Sequence, residues 1–521
     1  MCGIAGIKGN LANSIVLGKL LKRISHRGEE LYQQENVLYE DLTIGMNRLA
    51  IVDEANGEQP VSYNSEVFCI FNGEIYNHKA LRKELLPYYS FKSDCDTEVV
   101  LKGYLHWGID FLTKLDGKFA FCIVDIKNDQ LLLARDHIGI KPIYYSVFEN
   151  NIFFSSEMKS FCELPFIKEI NLLPPGYFWL NGILEQYYKL PEYLSSNKKP
   201  EMVLKQIKTF LYEAVKKRIP EDSNKIACLL SGGIDSSIVT YIASKYHKNI
   251  EAFTFTNSDT MSPDLESAEL LCNSLGIKHI VVSPDKSELK NFYLTHGVYM
   301  TESYEPVLVR NAVSYYHVCK VVRSKGYKFL LNGEGADELF GGYAFFKELP
   351  EEKRDQAIRE SLLDIHQTYL HMADRASMYT TIEARVPFMD KVFIEYCMKM
   401  PSDFRIRNNR EKWALREMFK GELPDPIVNR AKTGMNEGSG FGKNVPNESV
   451  YYEAVKEFYE ANKASYEKDL GICIEYSKVF KINHSDIEEI YNFARFVEHK
   501  YNRYRQSKVR LQLNTKLLKP M

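Results

Sequence analysis

A short apolar run, Ile226 to Leu230, leads directly into Ser231-Gly232-Gly233-Ile234-Asp235-Ser236-Ser237, and helical spacing takes over near Ser236. Two adjacent glycines at a strand–helix joint let the main chain approach an anion closely. The helix N-terminus adds free N–H groups and the positive end of its dipole. The serine hydroxyls supply further donors, and Asp235 is a suitable ligand type for Mg2+. This is not a Walker loop, because no Lys follows at the required spacing. Three more apolar runs, Ala252 to Phe255, His279 to Val282 and Phe329 to Leu331, are each followed by a helical pattern. Strands that alternate with helices predict a doubly wound parallel α/β sheet with ligands at the strand C-termini. Asn332-Gly333-Glu334-Gly-Ala-Asp337-Glu338 follows the last of these strands, so it falls on the same rim as the serine-glycine loop.

The N-terminal part reads differently. From Cys2 to about Tyr188, short strand-like runs (Leu42 to Val52, Val67 to Phe71, Phe119 to Val124, Gln130 to Ala134) are interrupted by a helical stretch at Thr97 to Trp107. That pattern predicts an α+β layered domain with mostly antiparallel sheets. Leu173-Pro-Pro-Gly176 and the stretch Tyr187 to Pro200 read as its end and a linker. Met202, Val203, Ile207, Leu211, Ala214 and Val215 then recur at helical spacing, and the pattern after Tyr343 is almost entirely helical. A length of 521 residues suggests about three domains, but the patterning supports two, at 2–190 and 205–521.

Composition narrows the partners. Lys plus Arg (67) against Asp plus Glu (69) gives a net charge of −2, which supports neither a nucleic-acid nor a membrane surface. The ten Cys lie at least 26 positions apart, so there is no disulfide scaffold and no C-x-x-C pair. No 18-residue apolar window occurs, and the start lacks a basic signal-peptide region. A cytoplasmic protein is expected, and a homodimer is compatible with the sequence. The basic stretch from Lys500 to Lys519 reads as a solvated face and tail, since no aromatic platform accompanies it.

Removal of Met1 would leave Cys2 with a thiol and a free α-amine. The amine's ordinary pKa of about 8 lets it act as base for its own side chain. Taken alone, Cys2 reads equally as a small buried hydrophobe. Arg48 suits a ligand carboxylate, Glu74 and Asp96 suit a ligand ammonium, and Asn72 with the Gly73 N–H has the donor types of an oxyanion hole. Individually, Asn72-Gly73 also reads as a turn after the strand Val67 to Phe71, and Arg48 and Asp96 as surface residues.

M-C-G-I-A-G at the start, S-H-R-G at 25–28, R-L-A-I-V-D at 48–53, F-N-G-E-I-Y-N at 71–77, D-T-E at 96–98 and A-R-D-x-x-G-x-K-P at 134–142 together resemble the glutaminase domain of glutamine-hydrolysing asparagine synthetases. The resemblance implies an N-terminal-nucleophile hydrolase sandwich in which Cys2 forms a glutamyl thioester and releases ammonia. Arg48, Asn72, Gly73, Glu74 and Asp96 would bind glutamine, with Asn72 and Gly73 as oxyanion donors. One departure is R-G-E-E at Arg27 to Glu30, where the family has R-G-P-D.

S-G-G-I-D-S-S resembles the pyrophosphate loop of ATP pyrophosphatases, and N-G-E-G-A-D-E-L-F-G-G-Y at 332–343 the matching asparagine synthetase segment. This resemblance assigns ATP contacts to Leu230, Ser231, Gly232, Gly233, Asp235, Ser236, Phe255, Asn332 and Gly333. It assigns Mg2+ to Asp235 and Asp337, and assistance of attack on an acyl-adenylate to Glu334. Phe255 replaces a smaller family residue. S-P-D-L at 262–265 and E-A-R-V-P-F-M-D at 383–390 extend the match, with Glu383 and Arg385 placed to shape the acceptor site.

The resemblance weakens after Arg430. A-K-T-G-M-N-E-G-S-G-F-G is more similar to the lysine loop of β-lactam synthetases, which makes Lys432 a candidate stabiliser of charge at the adenylate. Those relatives lack the nucleophilic Cys and carry Tyr at the Glu334 position; this chain has both Cys2 and Glu334. The expectation is glutamine-dependent, ATP-dependent amidation of aspartate, with ammonia passing through an interdomain tunnel. The alternatives are a sibling ligase acting on a related acid, a catalytically dead nucleotide-binding regulator, and a tRNA-modifying pyrophosphatase. Retention of Cys2, Asp235, Glu334 and Asp337 argues against the regulator, and the last would need neither the glutaminase half nor N-G-E-G-A-D-E.

Overall fold

The computed structural model describes residues 2–439 apart from 29–32, 40, 52, 54–55, 165, 168, 193–199, 258–260, 304 and 435–437. Two compact units meet in sequence between Leu190 and Pro191. The first contains β1 (Cys2–Lys8), β2 (Gln33–Tyr39), β3 (Leu42–Arg48), β4 (Val61–Tyr63), β5 (Val67–Ile75) and β6 (Gly117–Asp125). It continues with β7 (Gln130–Arg135), β8 (Tyr144–Phe148), β9 (Asn151–Ser155), β10 (Asn171–Leu172), β11 (Tyr177–Leu180) and β12 (Ile183–Gln186). They form two six-stranded antiparallel sheets, ordered β10-β8-β9-β1-β3-β2 and β12-β11-β7-β6-β5-β4.

The period-2 alternation of β5 explains the layering. Phe68 and Ile70 join Cys2, Ile4, Ile44 and Met46 of the facing sheet in one core. Val67, Cys69 and Phe71 point the other way, onto Val99, Leu101 and Tyr104 of the helix Asp96–Trp107. Both faces are buried, so the strand reads as an unbroken apolar run. Leu17 and Leu20 of the helix Ser14–Arg23, which packs on β1 and β3, are buried too. The result is an α+β sandwich of helix, sheet, sheet and helix.

The second unit holds β13 (Ile226–Leu229), β14 (Ile250–Phe255), β15 (Lys278–Val282), β16 (Phe329–Leu331) and β17 (Glu383–Arg385). All pair in parallel in the order β15-β14-β13-β16-β17. The chain starts at the centre, winds outward one way and then the other. The switch point lies between β13 and β16, where ligands of such sheets bind.

Several expectations need correction. Asn72-Gly73-Glu74 is not a turn but lies inside β5, opposite Ala120, Phe119 and Lys118. Gly73 makes this possible: a Cβ there would overlap the Lys118 carbonyl oxygen. The strand beginning at Leu42 stops at Arg48, whose guanidinium donates to the Asp53 carbonyl at 3.1 Å. The region after Tyr343 is not purely helical. Glu383–Arg385 is the fifth strand of the sheet, and Ile406–Arg407 pairs with Arg410–Glu411 through Asn408-Asn409, both with positive φ. Two Asn in the left-handed region are the local signal of such a hairpin. Glu29, Glu30 and the basic stretch from Lys500 lie outside the described residues. Among the described residues no helix is long and apolar enough to cross a membrane.

Candidate active sites

In the first unit, antiparallel register sets Cys2 opposite Arg48. The Cys2 main-chain nitrogen donates to Asn72 Oδ1 at 3.1 Å, and its carbonyl accepts from Arg27 Nε at 3.2 Å. Arg27 is anchored in turn by Glu157 Oε1 at 2.6 Å, and Glu157 also pairs with Lys159. Arg27, Glu157 and Lys159 are wholly buried, so both polar main-chain atoms of Cys2 are held from rigid surroundings.

That arrangement orients the Asn72 amide. Its oxygen is engaged by Cys2, while Nδ2 is buried with no hydrogen-bond partner among the described residues. A buried unsatisfied donor is costly in a folded protein and marks a place where a ligand acceptor belongs. Next to it, Phe71 N donates to Gln59 Oε1 at 2.7 Å and Ile75 N to Asp96 Oδ2 at 2.9 Å. Main-chain directions alternate along a strand, so Gly73 N–H points to the same edge, between those two. Asn72 Nδ2 and Gly73 N–H thus have the donor types of an oxyanion hole. Asp96 is 4% exposed, and burial holds its carboxyl above the usual carboxylate range, a penalty an incoming ammonium would offset. Glu74 lies 3.9 Å from Lys118 Nζ. The structure therefore gathers Cys2, Arg48, Asn72, Gly73, Glu74 and Asp96 around β1, β3 and β5.

In the second unit a cavity of about 390 Å³ opens at the switch point. Its floor is the serine-glycine loop. Ser236 Oγ accepts from Ser231 N at 3.1 Å, and Gly232 adopts φ +70°. The helix Ile234–Tyr246 starts there with no side-chain cap, leaving its first N–H groups for an anion. The loop after β16 presses close, since a Cβ at Gly333 would stand 2.8 Å from Ser236 N.

Charge is concentrated at this contact. Lys412 Nζ pairs with Asp235 and, at 2.6 Å, with Asp337 Oδ1; Lys432 Nζ lies 2.7 Å from Asp337 Oδ2 and 3.9 Å from Asp235 Oδ2. Burial opposes ionisation of Asp337, but Lys412 and Lys432 outweigh it and hold the carboxyl well below the usual range. At Glu334 the balance runs the other way: burial, then the charge of Glu338, outweighs Lys432 and pushes it up to about 8. Glu338, which accepts from Tyr343 Oη at 2.5 Å, rises to about 7 through burial and the charge of Asp337. Asp235 Oδ1 is buried without a hydrogen-bond partner among the described residues, and hard carboxylate oxygens suit Mg2+. Among the described residues no cluster of three His, Cys, Asp or Glu forms a metal cage. Two carboxylates completed by phosphate oxygens are a usual Mg2+ arrangement, so Asp235 and Asp337 fit that ion.

The cavity wall includes Ser231, Gly233, Asp235, Ser236, Gly333, Glu334, Asp337 and Lys432. Leu230, Gly232, Phe255 and Asn332 stand behind it. Leu230 is fully buried and Leu229 takes the wall position; Phe255 is 5% exposed. Asn332 donates to Tyr315 Oη at 2.6 Å and accepts from Glu334 N at 3.1 Å, so it shapes the loop. Glu383 and Arg385, expected at the acceptor site, pair with each other at 2.8 Å and are buried, although β17 is the edge strand of its sheet. Sequence reading missed Lys412, Asp264 and Arg430. The only local trace of Lys412 is the Asn408-Asn409 turn just before it, which delivers it with φ +56° into the site.

A family model described as a glutamine amidotransferase domain matches residues 1–210, and one described as asparagine synthase matches residues 206–359 and 348–466. The chain is 33% identical over 470 residues to asparagine synthetase B (glutamine-hydrolyzing) of Escherichia coli strain K12, covering 85% of this chain and 83% of that protein. It is 33% identical over 481 residues to asparagine synthetase (glutamine-hydrolyzing) 3 of Arabidopsis thaliana, covering 85% and 79%. It is 31% identical over 477 residues to the asparagine synthetase (glutamine-hydrolyzing) of Sandersonia aurantiaca, covering 85% and 87%.

Proposed function

The chain belongs to the glutamine-hydrolysing asparagine synthetase family, and from that membership we propose how its residues divide an ATP-dependent amidation between two sites. Residues 2–190 carry the glutaminase. After removal of Met1, the Cys2 thiolate attacks the glutamine carboxamide and its α-amine takes up the thiol proton. Asn72 Nδ2 and Gly73 N–H stabilise the oxyanion, the α-ammonium passes its proton to the departing nitrogen so that ammonia leaves, and water hydrolyses the thioester to glutamate. Arg48 pairs with the substrate carboxylate, Glu74 and Asp96 with its ammonium.

Residues 205–521 carry the synthetase. The aspartate side-chain carboxylate attacks the α-phosphorus of ATP, giving an acyl-adenylate and pyrophosphate. Ammonia then displaces AMP and forms asparagine. The N-terminal turn at Ile234 and the serine hydroxyls hold phosphate oxygens. Lys412 and Lys432 stabilise the charge that develops on the leaving pyrophosphate, and Glu334, once ionised, accepts a proton from the attacking ammonia. Mg2+, when bound, would neutralise phosphate charge, with Asp235 and Asp337 holding it. The nine Cys among the described residues are all free of disulfides, which supports a cytoplasmic location.

The observation that carries this reading is the meeting of Asp235, Asp337, Lys412 and Lys432 at the tips of two parallel strands. The test measures AMP, pyrophosphate and glutamate release against a panel of amino acids. AMP release that depends strictly on aspartate supports the reading. Preference for another acid would make the protein a sibling ligase, and no turnover with any acid would sink the catalytic reading.

A further inference from the structure

We propose that Asp264 is a positioning residue that ties the glycine loop of the nucleotide cavity to the segment bearing Lys432. Ser-Pro-Asp-Leu opens the helix Pro263–Leu275. Ser262 Oγ accepts from Leu265 N at 3.2 Å and Pro263 fills the first helical position, so local capping fixes where Asp264 stands. Its main chain faces one way: the carbonyl oxygen packs so closely on Gly232 that any Cβ there would overlap it. Its side chain faces the other. The carboxylate pairs with Arg430, and both of its oxygens would be overlapped by a Cβ at Gly438.

Lys432 lies between these two attachments. Two residues before it, Arg430 is held by the Asp264 charge; six after it, Gly438 rests on the same carboxylate, and the neighbouring Ser439 carbonyl accepts from Asn257 N at 2.9 Å. The Lys432 N–H itself donates to Glu411 Oε1 at 3.1 Å. A buried ion pair adds little net stability over an apolar pair, but losing one partner leaves the other charge uncompensated. Here the pair connects two cavity walls: Asp264 is 6% exposed, whereas the Lys432 side chain it positions is 34% exposed and meets Asp337 Oδ2 at 2.7 Å.

This inference rests on the reading of Lys432 as the cation beside the reacting phosphates. The experiment uses the full chain with ammonia as nitrogen donor and compares wild type, Asp264→Asn, Lys432→Ala and the double variant. Asp264→Asn should lower kcat for AMP release by roughly tenfold to a hundredfold, as expected for misplacing a group that acts in the transition state. The KM for ATP and the rate of glutamine hydrolysis should stay near wild type. In the Lys432→Ala background Asp264→Asn should add nothing, because groups acting as one unit are not additive. Gly438→Ala keeps every charge but displaces the segment, and should reproduce the kcat loss in a chain that melts normally. Equal losses in both backgrounds, a loss confined to the KM for ATP, or wild-type kcat in Asp264→Asn would each overturn the proposal. Wild-type turnover by Lys432→Ala would overturn the underlying reading of Lys432 instead.

Discussion

At the scale of single residues, function depends on which polar atoms burial leaves unpaired. Asn72 is the clearest case: one end of the amide is engaged by the Cys2 nitrogen, and the other is a buried donor with no partner among the described residues. Glu334 is the electrostatic counterpart. Its neighbours Asp235 and Asp337 are neutralised by Lys412 and Lys432, while Glu334 stays protonated until about pH 8. We therefore expect kcat/KM for the acceptor acid, measured at constant free ammonia, to rise with pH toward 8 and to lose that limb in Glu334→Gln. The stability effect has the opposite sense. A folded-state value raised above 4.5 means the native protein holds a proton that the unfolded chain releases, so stability falls as pH rises from about 4.5 to 8. The melting temperature of Glu334→Gln should accordingly gain on wild type across that window.

At the scale of elements, glycines set how closely strands and loops approach. Asn-Gly reads as a turn by composition, yet here it runs through the middle of β5, because a strand accepts Gly where a neighbouring backbone comes very near. Gly73→Ala should force β5 and β6 apart at Lys118. A loss of about 1–3 kcal/mol is typical of such overpacking, and a lower melting temperature with weakened glutamine hydrolysis would register it. The strand–loop–helix joint at 226–246 was legible because all of its requirements are local: apolar run, two glycines, hydroxyls, helix start. β17 was not legible, since three residues give too short a run to show a period, and only pairing with β16 makes them a strand.

At the scale of the whole molecule, each unit has its own core, nucleophile or charge cluster, and the two chemistries should separate by mutation. Cys2→Ala should abolish glutamine-dependent AMP release and spare the ammonia-dependent reaction. Lys432→Ala should do the reverse, leaving glutamate release intact while AMP formation falls. Parallel assays of both products check the pair. Most of this division can be traced to the sequence. Period and turn chemistry set an antiparallel half before a parallel one; the two loops could be singled out because each follows an apolar strand run directly, and Cys2 because its thiol and α-amine belong to one residue. Tertiary structure alone decided the rest. Lys412 meets Asp235 across 177 residues and Arg430 meets Asp264 across 166. Those pairings depend on how distant segments pack, and no local spacing encodes that. The sequence by itself determined which groups could do the chemistry; folding determined which of them are paired, which are left open, and what holds Lys432 in place.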